Sequence, residues 1–155
     1  MPPSRYALPL LWLALVLVLG TAYFSASHTG AFVVPFLKTL APGASSAKLN
    51  AIHMVLRKLA HIAEYAVLAL LWFRALLRGT GRTPRAAAWI AMAVCLGCAL
   101  VDETHQAMIP TRSGSVRDLL VDGSGAAGVL IFARGRREAR ERIQMRGAVA
   151  VEPAE

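Results

Sequence analysis

The sequence predicts an all-α bundle of four transmembrane helices, and three observations carry that expectation. Hydrophobic residues fill 56% of the 155 positions and mean hydropathy is +0.51, whereas soluble chains run at roughly 45–50% apolar. The apolar residues fall into four runs, each with its flanks near the about 20 residues that a helix needs to cross a bilayer. Finally, the net charge of +8, from 17 Lys and Arg against 9 Asp and Glu, gathers at the ends of those runs. Charge placed there reads as a topology signal, so no nucleic-acid partner is expected.

Residues 1–27 are read as the first span. From Tyr6 to Phe36 only His28 can carry a charge, and Leu8 to Tyr23 is almost purely apolar. Arg5 before an apolar core, with Ser25-Ala26-Ser27 after it, also fits a secretory signal. Retention is expected, because removing this span would reverse the charge bias of the rest. Residues 28–45 hold Pro35, Pro42 and Gly43 and are expected to form an extracytoplasmic loop, with a short apolar segment over Ala31 to Leu40 at the membrane interface.

Residues 46–133 are expected to supply a three-helix core. Ser45 or Ser46 caps the second span, and Leu49, Ile52, Leu56 and Leu59 continue with helical spacing into the run that ends at Arg74 and Arg78. Gly79 to Arg82 is a tight turn. Thr83-Pro84 then pairs a capping hydroxyl with a proline at the first helical position, opening the Ala-rich third span, which stops by Pro110. Ser115 with Asp118 three residues on has the form of a capping box and opens the fourth span. In it Gly123, Gly125 and Gly128, with Ala126 and Ala127, form a stripe that lets another helix approach. Residues 134–155 read as a basic cytoplasmic tail, helical through Arg146 and disordered from Gly147. Cys95 and Cys98, a CxxC inside an uncharged helix, read as packing residues.

Orientation follows from the positive charges. With the N-terminus inside, 11 of the 17 fall on the cytoplasmic side; Lys38, Lys48, Arg57, Lys58, Arg112 and Arg117 fall opposite. Both termini are therefore expected in the cytoplasm. This topology delivers the polar residues of three spans to one level: Lys58, His61, Glu64 and Tyr65 from the second, Asp102, Glu103 and Gln106 from the third, Asp118 and Asp122 from the fourth. Their three- and four-residue intervals put each set on one helix face. Ionisable residues inside a membrane are costly and usually mark function, so a polar pocket at the extracytoplasmic surface is expected.

At these residues the chain resembles the VanZ-like family, which takes its name from a glycopeptide-resistance membrane protein. The pattern reads Lys58-x-x-His61-x-x-x-Tyr65, then Asp102-Glu103-x-x-Gln106, Pro110-x-Arg112, Ser115-x-x-Asp118 and Gly125-x-x-Gly128. It departs from the family at Asp122, where Asn is usual. The resemblance implies a protein of the bacterial cytoplasmic membrane linked to resistance to teicoplanin-type antibiotics.

Within the pocket, Lys58, Tyr65, Gln106 and Arg112 are the expected ligand-binding residues, with Glu64, Asp102 and Asp122 in support. Arg112, beside Arg117, offers a planar fork for a phosphate or carboxylate. The expected partners are thus membrane lipids and the anionic head group of a lipid or cell-wall precursor. For His61, Glu103 and Asp118 two readings stay open, general acid-base work and a structural salt-bridge network. Neither an HExxH nor another full metal signature appears, so no metal or cofactor is assigned.

Overall fold

The computed structural model describes residues 3–78, 81–108 and 116–151. These form five α-helices with no strand among them: α1 (Ala7–Leu19), α2 (Ala26–Leu40), α3 (Ser46–Leu77), α4 (Pro84–Ala107) and α5 (Val116–Val151). Short 3-10 turns, Pro3–Tyr6 and Ala22–Phe24, flank α1. Helix α3 is central, packed against α4 and α5 on one side and against α1 and α2 on the other.

The caps follow the local chemistry. Ser45 Oγ accepts the Lys48 amide at 3.3 Å to start α3, and Thr83 Oγ1 accepts the Ala86 amide at 3.2 Å to start α4, with Pro84 next in line. Gly81 before it has φ +63°, the left-handed region a glycine enters freely. Gly79, Thr80 and the expected cap Ser115 lie outside the described residues.

The core is an apolar seam. Helix α4 contributes Ala87, Ala91, Cys95 and Ala99, four small residues at four-residue intervals, all buried. Tyr65, Leu68, Ala69 and Phe73 of α3 and Ala126 and Leu130 of α5 pack against them. The opposite faces carry exposed Trp89, Leu100, Val101, Ile131 and Phe132. Small residues inside with bulky apolar ones outside is the pattern of helices packed in lipid. Cys95 and Cys98 are free thiols, the first within this seam.

Helix α5 approaches α3 closely at Gly125. A Cβ there would overlap the Ile62 carbonyl oxygen and lie 3.0 Å from Ile62 C and Cα. The expected small-residue stripe is narrower than its sequence: Gly123 faces Leu96, while Gly128 has open space beside it.

Helix α1 runs antiparallel along α3. Arg5 donates to the Arg78 carbonyl (2.7 Å), the Tyr6 and Trp72 rings lie 5.7 Å apart, and Trp12 donates to the Glu64 carbonyl (3.0 Å). Beyond the turn, the Phe24 carbonyl accepts from Arg57 (2.7 Å). The segment Pro3–Phe24 therefore accompanies α3 from Arg78 to Arg57, 21 residues or about 31 Å of helix.

Two regions differ from expectation. Residues 28–45 are mostly helix: Ser25 accepts from the His28 amide and Thr29 Oγ1 bonds back to the Ser25 carbonyl, nucleating α2, and Pro35 interrupts only one rung of its ladder. The axis turns by 68° between α1 and α2. The backbone of α5 is also helical past Gly147 to Val151. A helix already nucleated and braced by Arg134–Glu138 and Arg137–Glu141 pairs, each at 2.8 Å, propagates readily.

By length and apolarity α3 and α4 are candidate membrane spans, and α1 with α2 makes a third if the bent pair counts as one. Such helices around a small-residue seam make an all-α membrane bundle. The expected fourth span coincides with the first half of α5, where Asp118 and Asp122 interrupt the apolar run.

Candidate functional site

Each core helix buries one face, and that face changes character along its length. On α3 it passes from Phe73, Ala69 and Leu68 to Tyr65, His61 and Lys58; on α4 from Ala91, Cys95 and Ala99 to Asp102, Glu103 and Gln106; on α5 from Leu130 and Ala126 to Asp122 and Asp118. The three polar ends meet because α4 runs antiparallel to α3 and α5. Their side chains line a cavity of about 180 Å³, walled by Lys58, His61, Glu103, Gln106, Asp118 and Asp122, with Ala26, Met54, Arg57 and Val121 completing it.

Depth sorts the polar groups. At the opening Lys58 Nζ lies 3.1 Å from Asp118 Oδ1, with the two side chains 40% and 37% exposed. Such a half-exposed pair is worth only about 0–1 kcal/mol after screening, so it exchanges partners readily. Deeper in, His61 Nδ1 stands 3.3 Å from Oδ1 of Asp122, which is fully buried. That contact has the distance of an ion pair but not the alignment of a hydrogen bond, and among the described residues neither Asp122 oxygen has a hydrogen-bond donor. Glu103 is buried on the α4 side. Asp102, also buried, accepts from Gln106 Nε2 at 2.7 Å, and its carboxylate lies against Gly20, where a Cβ would force it to shift. Tyr65 lies beneath the cavity, its hydroxyl buried with no hydrogen-bond partner among the described residues.

Glu64, Tyr65 and Asp102 are expected residues that do not line this cavity. Glu64 lines a neighbouring cavity of about 290 Å³ between α3 and the α1–α2 bend, a mostly apolar space that shares Arg57 and His61 with the first. Arg112 lies outside the described residues, as does Pro110. Arg57, counted in the sequence only as a topology charge, proves to be a wall of both cavities. Its guanidinium bonds the Phe24 carbonyl (2.7 Å) and Thr29 Oγ1 (3.0 Å), tying the bend to the site. Its four-residue interval from His61 was the available signal. His53 is buried against α2, with Nε2 3.1 Å from Thr29 Oγ1. No three His, Cys, Asp or Glu side chains among the described residues are grouped to hold a metal ion.

The family model for VanZ/LLP1 matches residues 6–136. The chain belongs to the VanZ/LLP1 family. The match covers α1 through the first half of α5, so it includes every helix that builds the cavity. No curated protein and no solved structure matches the chain. For this VanZ/LLP1 protein the polar cavity is thus described from its own residues: cations at the opening and on one wall, carboxylates within, and the buried Tyr65 hydroxyl below.

Proposed function

We propose that this VanZ/LLP1 protein is a multi-pass protein of the bacterial cytoplasmic membrane, both termini cytoplasmic, whose cavity receives the anionic head group of a lipid or cell-wall precursor at the extracytoplasmic face. Helix lengths support the placement. From Lys58 to Arg78 on α3, from Gln106 back to Arg85 on α4 and from Asp118 to Arg137 on α5 is about 30 Å in each case, one hydrocarbon thickness. On this reading α1, α3, α4 and α5 all cross, and α2 lies along the outer interface with Phe32 and Phe36 exposed.

The layering of charge carries the binding proposal. A volume of 180 Å³ falls below the roughly 300–1,000 Å³ of pockets that enclose whole drug-sized ligands, and suits one phosphate or carboxylate group. Lys58 exchanges Asp118 for the incoming anion, and Arg57 meets it from the wall. Arg112 belongs to the connection between α4 and α5, whose ends flank the cavity, and adds a bidentate donor. Occupying such a head group would change what a teicoplanin-type antibiotic reaches, which is the link inherited from the family. The test is teicoplanin sensitivity of a susceptible host expressing wild type, Arg112→Ala or Glu103→Gln at matched membrane levels. Wild type protects and Arg112→Ala does not; equal protection by both contradicts the anion site. If wild type gives no protection, the antibiotic link falls.

One observation favours a second reading, a membrane enzyme acting on that head group. The buried Asp122 carboxylate stands 3.3 Å from an imidazole nitrogen of His61, and Glu103 lines the same cavity, so on this reading His61 or Glu103 serves as general base. Glu103→Gln separates the readings in part: binding persists in both, and turnover of the head group is lost if the chain is an enzyme with Glu103 as its base.

A further inference from the structure

At the opposite end of the bundle, α3 and α5 enclose a groove of about 490 Å³ whose lining holds five arginines, Arg74, Arg78, Arg136, Arg137 and Arg140, and no carboxylate. Arg137 is held by Glu141 at 2.8 Å. Arg74, Arg78, Arg136 and Arg140 have no acidic partner among the described residues. They come as two four-residue pairs, one on each helix, an arrangement in which like charges repel along each helix and again across the groove. Arg5 is drawn to the same level by its bond to the Arg78 carbonyl. The floor beneath them is apolar, with Phe73, Leu77 and Phe132 among its residues, and the Arg136 guanidinium sits 5.3 Å over the Phe132 ring.

The geometry points to a second site, distinct from the polar cavity: this groove holds one anionic phospholipid, its phosphate among Arg74, Arg136 and Arg140 and part of an acyl chain along the apolar floor. The charge calls for an anion with several acceptor oxygens, which guanidinium forks grip bidentately. The floor calls for hydrocarbon attached to that anion. Its level, about 30 Å along α3 and α5 from the polar cavity, is where lipid head groups of the other leaflet lie. Basic pockets between helices on the cytoplasmic side of a membrane recognise such head groups.

The experiment uses the full chain in phosphatidylcholine nanodiscs with rising fractions of phosphatidylglycerol, reading lipid retained on the protein by native mass spectrometry. Each arginine that grips the phosphate within the groove contributes roughly five-fold to anionic-lipid affinity. The combined Arg74→Gln, Arg136→Gln and Arg140→Gln variant should therefore lose phosphatidylglycerol about a hundred-fold, on the same scale. Removing three charges outside the groove (Arg85→Gln, Arg142→Gln, Arg146→Gln), or the cavity's Lys58 by Lys58→Met, should leave retention within a few-fold of wild type. Phe132→Ala changes a ring that is 62% exposed, so folding survives, and should weaken retention at least several-fold. Glycerol phosphate should not displace the lipid. The proposal is overturned if wild type shows no preference for phosphatidylglycerol, if both triple variants lose it equally, if Phe132→Ala retains it fully, or if glycerol phosphate competes.

Discussion

Replacing Gly125 by alanine should loosen the contact on which the cavity depends. The added Cβ would overlap the Ile62 carbonyl oxygen and sit 3.0 Å from two further Ile62 backbone atoms, none of which can rotate away. Helix α5 must therefore retreat by several tenths of an ångström, and overpacking of this kind costs about 1–3 kcal/mol. Alanine also gains about 1 kcal/mol of helix propensity over glycine. Gly128→Ala makes the same gain with nothing within 4 Å of its Cβ, so the gain cancels when the two variants are compared. Gly125→Ala should then unfold earlier than Gly128→Ala by about 1–3 kcal/mol, at roughly 2–4 °C per kcal/mol for a chain of this size. Tryptophan fluorescence of purified protein on heating reads this from Trp12, Trp72 and Trp89. Because Ile62 and Gly125 lie beside His61 and Asp122, the same retreat stretches the 3.3 Å contact and should depress head-group binding. Equal melting of the two variants would refute the close-approach reasoning.

Three further outcomes are expected. Asp122→Asn should melt no earlier than wild type, since the amide keeps the shape and the buried carboxylate oxygens have no hydrogen-bond donor to lose among the described residues; a fall of more than about 5 °C, on the scale just used, would show that the contact with His61 is stabilising. Tyr65→Phe deletes a buried hydroxyl with no hydrogen-bond partner among the described residues, so heating should find stability equal or up to about 1 kcal/mol higher, and a marked loss would reveal a bonded hydroxyl. In a Cys95→Ala, Cys98→Ala background, a membrane-impermeant thiol reagent should label Gly43→Cys from outside and Arg82→Cys only after the inner face is exposed. The reverse pattern would invert the topology.

What the sequence made legible was what local chemistry decides. Ser45 and Thr83 are short-range caps readable from their neighbours, and the three- and four-residue intervals from Lys58 to Tyr65, Asp102 to Gln106 and Asp118 to Asp122 define helix faces without knowledge of a partner. Helical periodicity thus located both the core and six of the cavity's lining residues. Less legible was whatever depends on two distant segments touching. The loop reading of residues 28–45 weighed Pro35 and Gly43 above the cap at Ser25, and the bend there is secured by Arg57, 33 residues from Phe24. The role of Arg57 itself was hidden for the same reason. Gly125 and Gly128 look alike as a pair of helix-face glycines, and only the position of Ile62 tells them apart.

The most direct test of the central claim is head-group binding at the cavity itself. Purified protein in detergent, titrated with glycerol phosphate and followed by calorimetry, should bind saturably. Lys58→Met should weaken that binding at least ten-fold while shifting the unfolding free energy by no more than about 1 kcal/mol, since the Lys58–Asp118 pair is half exposed. Binding of equal strength in wild type and Lys58→Met, or none in wild type, would contradict an anion site at this cavity.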